Sequence, residues 1–314
     1  MQVKTRHLTT FLEIARHGSV GRAAETLHVS QPAVTRTLRE LEDELGCALV
    51  ERDGRGIRLT AAGQEFRRHA GASLAALRKG MDAVRRVTAD ETPPLRIGAL
   101  PTVSARIMPT AVRGLLQASE ARLKIVTGEN AVLLDQLTRG ELDVVVGRLA
   151  APERMVGLTF EHLYSEQVVF VVRRGHPLLE ATTFEFSALR AYPVVMPTRS
   201  AIIRPYVERL LIAHGLADLR ARIESVSDSF GRAFLRETDA IWIISQGVVA
   251  NEIAAGTLAR LTIDTSETRG AVGITLRADR DPSPILDLFT RVLRDVAASE
   301  RRAATSDGQY GRPT

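Results

Sequence analysis

The chain contains one cysteine, Cys47, in 314 residues. That excludes an intramolecular disulfide framework and suits a reducing compartment, so a cytoplasmic location is expected. Aromatic residues make up 4% of the chain, too few for the stacked platform on which proteins hold single-stranded nucleic acid. No apolar run approaches the roughly 20 residues that a membrane-spanning helix needs, no signal peptide precedes the first helical pattern, and no membrane partner is expected. The seven histidines are scattered, without HExxH or paired Cys/His spacing, so neither a metal nor another cofactor is expected. There is no GxSxG elbow, no GxxxxGKS/T loop and no GxGxxG after a strand. Ser245 follows a strand-like run but has no His and Asp partners that the sequence can name. The chain therefore offers no catalytic constellation and does not read as an enzyme.

What it does offer is concentrated in residues 19–46, SVGRAAETLHVSQPAVTRTLRELEDELG. Val20, Ala23, Ala24 and Leu27 recur at helical spacing. A second helix opens at Ser30, an N-cap residue type, with Pro32 just inside the start, where a missing N–H costs nothing. Val34, Leu38, Leu41 and Leu45 give it one apolar face, while Gln31, Thr35, Arg36 and Arg39 occupy the other. A short helix, a tight turn and a helix with polar and basic groups at its start make a helix-turn-helix, whose second helix enters the major groove N-terminus first. Taken alone, the pattern also fits an amphipathic hairpin with a solvated face. Its surroundings decide. An earlier helix from about Thr5 to Arg16 supplies Leu8, Phe11, Leu12 and Ala15 as a third wall. After Gly46, Asp53-Gly54-Arg55-Gly56 is turn chemistry between two strand-like runs, with Arg52, Arg55 and Arg58 on the resulting basic wing.

The segment SVGRAAETLHVSQPAVTRTLRELEDELGCALVERDGRGIRLTAAG resembles the N-terminal signature of LysR-type transcriptional regulators. The likeness rests on Ala23-Ala24, Leu27, Ser30-Gln31-Pro32-Ala33-Val34, Thr35, Leu38, Leu41-Glu42, Leu45-Gly46, Arg52, Leu59-Thr60 and Gly63. Val50 stands where the family usually has Phe, which implies looser packing under the wing. The resemblance implies an α/β chain with an N-terminal winged helix-turn-helix, a long dimerisation helix and a two-lobed periplasmic-binding-protein-like effector domain. Its implied partners are a double-stranded DNA operator, a small effector, a second copy of the chain (in a dimer, or a tetramer built as a dimer of dimers) and, for an activator, RNA polymerase. Ser30, Gln31, Pro32, Thr35 and Arg36 are the expected groove contacts, and Gln31 is the expected base reader because a carboxamide pairs with adenine N6 and N7. Arg52, Arg55 and Arg58 are expected on phosphates. Charge agrees: residues 1–90 hold 15 Lys and Arg against 11 Asp and Glu, and the remainder is nearly balanced at 27 against 26.

From Thr60 a proline-free stretch continues to about Ala89, on the order of 40 Å of helical rod. Leu74, Leu77, Met81, Val84 and Thr88 step along it by 3, 4, 3 and 4, a coiled-coil-like seam with nothing upstream to cover it. Asp90-Glu91-Thr92-Pro93-Pro94 ends the rod. The period then changes. LRIGAL, RLKIVTG and LDVVVG read as strands separated by helices around 107–118 and 132–138. EQVVFVVR, PVVM, ARIESV and AIWIIS form a second unit, with helices over 202–214 and 248–254. GAVGITLR returns to the first unit, and a helix over 284–297 closes the chain. Alternation of this kind predicts parallel α/β lobes joined by two crossings, with a ligand cleft at the carboxyl ends of the strands. The expected boundaries are 1–60 for DNA binding, 61–90 for the linker helix and 91–300 for the effector domain. Its first lobe takes about 91–164 and 270–300, and its second about 165–269. A disordered tail is expected over 301–314.

The strand ends supply the cleft chemistry. Thr102, Val103 and Ser104 follow the first strand, Asn130 the second and Arg148 the third. In the second lobe Thr198, Arg199 and Ser200 follow a strand, and Arg204 lies one turn into the next helix. Hydroxyls and N–H groups at helix starts, each with an arginine nearby, point to a small carboxylate. The competing reading is that these hydroxyls only cap helices and the arginines are solvated. Segments such as LKIVTGENAVLLDQL and SVSDSFGRAF are similar to LysR-type activators of protocatechuate-degradation operons, which implies a polycarboxylate pathway intermediate as effector. Sugar-sensing LysR regulators share much of this sequence and remain an alternative. So do a solute-binding protein, for which a winged helix has no use, and an architectural DNA-binding protein, which needs no cleft.

Overall fold

The structure, a computed structural model, describes residues 2–54, 56–89, 93–180, 185–216, 223–280 and 283–309. At the N-terminus, α1 (Thr5–His17), α2 (Val20–Leu27) and α3 (Gln31–Leu45) enclose a small core. Fully or nearly fully buried Phe11, Ile14, Ala23, Val34, Leu38, Leu41 and Leu49 fill it, and Phe66 meets Phe11 edge-on at 5.2 Å. The Ser19 hydroxyl caps α2 by accepting from the Arg22 N–H. Ser30 caps α3 through its backbone only: its carbonyl accepts from Ala33 and Val34, while its hydroxyl makes no capping bond and stays exposed. His28, in the turn between α2 and α3, holds φ at +54°, in the left-handed region that a non-glycine side chain resists.

Strands β1 (Val50–Asp53) and β2 (Gly56–Leu59) pair antiparallel with Asp53 opposite Gly56, so the turn is the two-residue one expected. Gly54 supplies its positive φ; Arg55 lies outside the described residues. The Thr60 hydroxyl accepts from the Gly63 N–H at 3.0 Å and starts α4 (Ala61–Ala89). A Cβ on Gly63 would sit 2.0 Å from the Leu49 carbonyl oxygen, so only glycine lets the rod lie this close to the wing. Along α4 the expected seam divides. Leu74 packs against the small core, whereas Leu77, Met81 and Val84 are 50%, 52% and 62% exposed.

The first effector lobe contains β3 (Leu95–Ala99), α5 (Pro101–Ala105), α6 (Met108–Ala118), β4 (Leu123–Thr127), α7 (Asn130–Thr138), β5 (Val144–Arg148) and β6 (Leu158–Glu166). The second contains β7 (Val168–Arg173), β8 (Val194–Met196), α8 (Arg204–Ala213), β9 (Ile223–Glu224), α9 (Asp228–Glu237), β10 (Ile241–Ser245), α10 (Ala250–Ala254) and β11 (Leu258–Arg260). The chain then returns through β12 (Gly270–Arg277) to α11 (Pro284–Gln309). The sheet orders are β4-β3-β5-β12-β6 and β11-β7-β10-β8-β9.

The sequence pattern predicts parallel sheets, but neither sheet is wholly parallel. Strands β3, β4 and β5 are parallel, but β12 runs antiparallel to both β5 and β6. In the second lobe β8, β9 and β10 are parallel, while β7 runs antiparallel to β10 and β11 antiparallel to β7. The reversals involve the strands that carry the chain between lobes, which join a sheet without needing a crossover helix. Strands β6 and β11 and helix α9 were not anticipated. Nor is the chain irregular from 301: α11 continues to Gln309, and only 310–314 of the expected disordered tail lie outside the described residues.

Candidate functional site

Ser30, Gln31, Pro32 and Arg36 are exposed at the start of α3. Thr35 is half-buried, and its hydroxyl donates to the Gln31 carbonyl at 3.0 Å. Arg36, 83% exposed, reaches Glu40 at 3.0 Å, and Arg6 reaches the same carboxylate at 2.9 Å. These bonds, Arg6 first, hold the Glu40 carboxyl below its ordinary pKa. On the wing Arg52 is exposed, and Arg58 pairs across the hairpin with Glu51 at 3.0 Å. Surface pairs of this kind contribute little stability and are readily exchanged for a phosphate.

Between the lobes lies a cavity of about 540 Å³ with apolar walls that include Leu100, Ile202, Ile203, Val226, Ile244 and Val248. Its polar lining comes from strand ends and helix starts of both lobes: Thr102, Thr127, Glu129, Asn130 and Arg148 on one side, Ser225, Asp228, Ser229, Arg232 and Ser245 on the other.

Arg148 is the deepest cation, 4% exposed. Its Nη2 donates to the carbonyl oxygens of Glu166 and Thr268, and its guanidinium carbon lies 5.3 Å from the centre of the Tyr206 ring. Its Nε and Nη1 are buried without a hydrogen-bond partner. Burial lowers its pKa, opposed by Glu166, yet arginine stays charged in proteins. Asn130 donates through Nδ2 to the Arg148 carbonyl at 2.7 Å, while its buried Oδ1 has no partner. Glu166 accepts from the Thr102 hydroxyl at 2.6 Å and from the Gly247 N–H at 3.3 Å. Burial raises the Glu166 carboxyl, offset by Thr102 and then by Arg148.

The expected cleft residues do not all converge. Thr102, Asn130 and Arg148 line the cavity. The hydroxyl proton of Thr102, however, goes to Glu166, so Thr102 is not a free donor to the cavity. Val103 is completely buried in the first lobe's core. The Ser104 hydroxyl bonds back to the Leu100 carbonyl at 3.0 Å and is outside the lining. Arg204 is the first residue of α8 and is tied to Glu208, Glu224 and the Pro197 carbonyl. Thr198, Arg199 and Ser200 are also outside the lining. Ser200 still bridges the lobes, donating to Glu129 at 2.8 Å.

The sequence reading missed the lining contributed by α9. The Ser227 hydroxyl caps that helix by accepting from the Phe230 N–H at 3.2 Å. Asp228 and Ser229 are its first residues, with Arg232 one turn on. The signal was present, as Ser227-Asp228 before an amphipathic run. Arg232 bonds Glu252 at 2.6 Å and the Val248 carbonyl at 2.6 Å. Burial raises the Asp228 carboxyl, with Arg232 opposing.

A winged helix-turn-helix joined to a two-lobed cleft is the arrangement of a ligand-responsive transcription factor. The chain matches the bacterial regulatory helix-turn-helix protein, lysR family, over residues 5–64 and the LysR substrate binding domain over residues 88–298, and it belongs to the LysR family of DNA-binding transcriptional regulators. It is 59% identical over 297 residues to the HTH-type transcriptional regulator PcaQ of Agrobacterium fabrum, covering 94% of this chain and 96% of that one. It is 34% identical to the HTH-type transcriptional regulator YdcI of Escherichia coli, covering 93% and 95%. Among solved structures, full-length CbnR in complex with target DNA superposes with a TM-score of 0.52 at 24% identity, covering 94% of this chain and all of that one. Full-length BenM gives 0.53 at 20%, covering 95% and 98%. These two structures share its fold. No described helix is long and apolar enough to cross a membrane.

Proposed function

We propose that the chain is an effector-dependent activator of a protocatechuate-catabolic operon and senses a small polycarboxylate such as β-carboxy-cis,cis-muconate. The identity to PcaQ supports the operon, and Arg148 supports the ligand class. A buried guanidinium on the wall of a mostly apolar cavity, with two nitrogens that have no hydrogen-bond partner, favours a carboxylate as occupant, because a buried charge is stabilised by pairing and hydrogen bonding. Asn130, the start of α9 at Ser229 and, once released from its neighbours, Arg232 would take further carboxylate oxygens. The carboxylates of Glu129 and Asp228 restrict where those oxygens can lie. The same two groups would accept hydroxyls, which keeps a sugar as the second reading.

On the DNA side, Gln31 would read a base edge. Ser30, Thr35 and Arg36 would hold the recognition helix in the groove, with Arg52, Arg55 and Arg58 on phosphates. The exposed Leu77, Met81 and Val84 would pair with a second copy, since two recognition helices a turn of DNA apart are needed for useful specificity.

Titration calorimetry on the full chain with β-carboxy-cis,cis-muconate and with glucose tests the ligand. A band shift on the promoter of its host's protocatechuate genes tests the target. Tight glucose binding without carboxylate binding would replace the effector proposed here.

A further inference from the structure

One helix touches both the effector cavity and the DNA-binding domain. Helix α7 is nine residues long, roughly 13 Å from end to end. Its first residue, Asn130, lines the cavity and bonds the Arg148 carbonyl. Glu129, just before it, takes the cross-lobe bond from Ser200.

The other end of α7 rests on α1 and α4. Arg139, directly after α7, pairs with Glu13 of α1, the two side chains being 11% and 6% exposed. Asp135 of α7 is 3.3 Å from Arg16 of α1. Gly71 of α4 packs so closely that a Cβ there would lie 2.7 Å from Thr138 Cγ2, and a Cβ on Gly140 would lie 2.6 Å from that of Ala75. Arg78 of α4 reaches Glu141 at 3.2 Å. With contacts this tight, a shift of α7 must either carry α1 and α4 with it or open a gap in a packed surface.

We infer that α7 is the element through which occupancy of the cleft biases the DNA-binding domain, with the Glu13–Arg139 pair as its coupling contact. This rests on the proposal that the cleft binds the effector, but the contact can be tested without ligand. The Asn130→Ala variant removes the bond at the cavity end. Amide exchange in full-length protein is then read over residues 10–17 of α1, with residues 241–245 of the second lobe as an internal reference. Exchange in α1 should accelerate about fivefold or more, the range of an ordinary coupling between sites, while the reference is unchanged. In a Glu13→Gln/Arg139→Gln background the same Asn130→Ala change should leave α1 exchange as it was. If the paired amide variant does not fold, Arg16→Gln, which breaks the contact with Asp135, is read in the same way.

The ligand arm adds β-carboxy-cis,cis-muconate. It should alter α1 exchange in the unsubstituted protein but not in the Glu13→Gln/Arg139→Gln variant, although both bind the compound with equal affinity by calorimetry. Unchanged α1 exchange on Asn130→Ala, or an equal change in both backgrounds, overturns the relay. Failure of the compound to bind the unsubstituted protein counts against the effector assignment, and the Asn130 arm still decides the relay.

Discussion

Arg148 Nη2 donates to the backbone carbonyl oxygen of Glu166 at 3.1 Å. Glu166 ends β6 at the outbound crossing between lobes. Thr268, whose carbonyl takes a second bond from the same nitrogen, lies just before β12 on the return crossing. A single guanidinium thus ties both chain crossings together on a residue that lines the cavity, while its Nε and Nη1 are buried without a partner. The anion proposed to bind at Arg148 would be held by the group that ties the crossings, and its binding would favour one arrangement of the lobes over another, as a switch requires.

Replacing that group should weaken the grip. Arg148→Lys keeps the charge but loses the planar fork. Carboxylate affinity should fall by about 1.5–3 kcal/mol, the usual value of a hydrogen bond to a charged group, and the melting temperature should fall because the two crossings lose their tie. Calorimetry on the full chain measures the first effect and calorimetric melting the second. Unchanged affinity would move the anion site away from Arg148.

Asp228 gives a pH dependence whose sign is fixed. Burial raises its carboxyl in the folded state, so the folded chain holds this proton more tightly than the unfolded one. Its contribution favours folding fully below the unfolded value and is lost as pH rises through the folded value. Asp228→Asn should therefore melt higher than the parent at pH 7, and the difference should vanish below the ordinary aspartate pKa of about 3.9. The same change should tighten polycarboxylate binding at neutral pH, because it removes a negative charge from the cavity wall. A lower melting temperature at pH 7 would contradict this.

In the DNA-binding domain, Gln31→Ala should lose discrimination at one position of each operator half-site, by about 1–3 kcal/mol. Arg52→Ala should weaken all sequences alike and reduce the salt slope by about one unit. Quantitative band shifts on an operator panel separate the two. Full specificity in Gln31→Ala would assign base reading to another side chain of α3.

Leu77→Asp or Met81→Asp would bury a charge in any helix pairing made along the exposed part of α4. Either variant should sediment as a monomer at micromolar concentration and bind the operator poorly. A persisting stable oligomer would place the dimer contact elsewhere.

Local signals in the sequence were sufficient for the DNA-binding half. Ser19 and Gly46 mark helix ends within one or two residues, Asp53-Gly54 marks the wing turn, and most of the apolar positions named for α1 to α3 pack in the core, although the fully buried Ile14 was not among them and Ala15 is only half-buried. Alternating strands and helices likewise marked two lobes and located Thr102, Asn130 and Arg148 at strand ends. Tertiary structure decided which groups reach the cavity and what state they are in. Thr102 spends its proton on Glu166, 64 residues away in the chain. Arg204 is consumed by neighbours on its own lobe, and Val103 turns into the core. Asp228 and Arg232 reach the cavity from α9, the helix after the ARIESV strand, which the reading of strand ends had passed over. Periodicity and caps are properties of a few consecutive residues and survive in any one-dimensional reading. Whether a hydroxyl or guanidinium is still free to hold a ligand depends on which distant donors and acceptors the packed lobes bring within hydrogen-bonding reach of it.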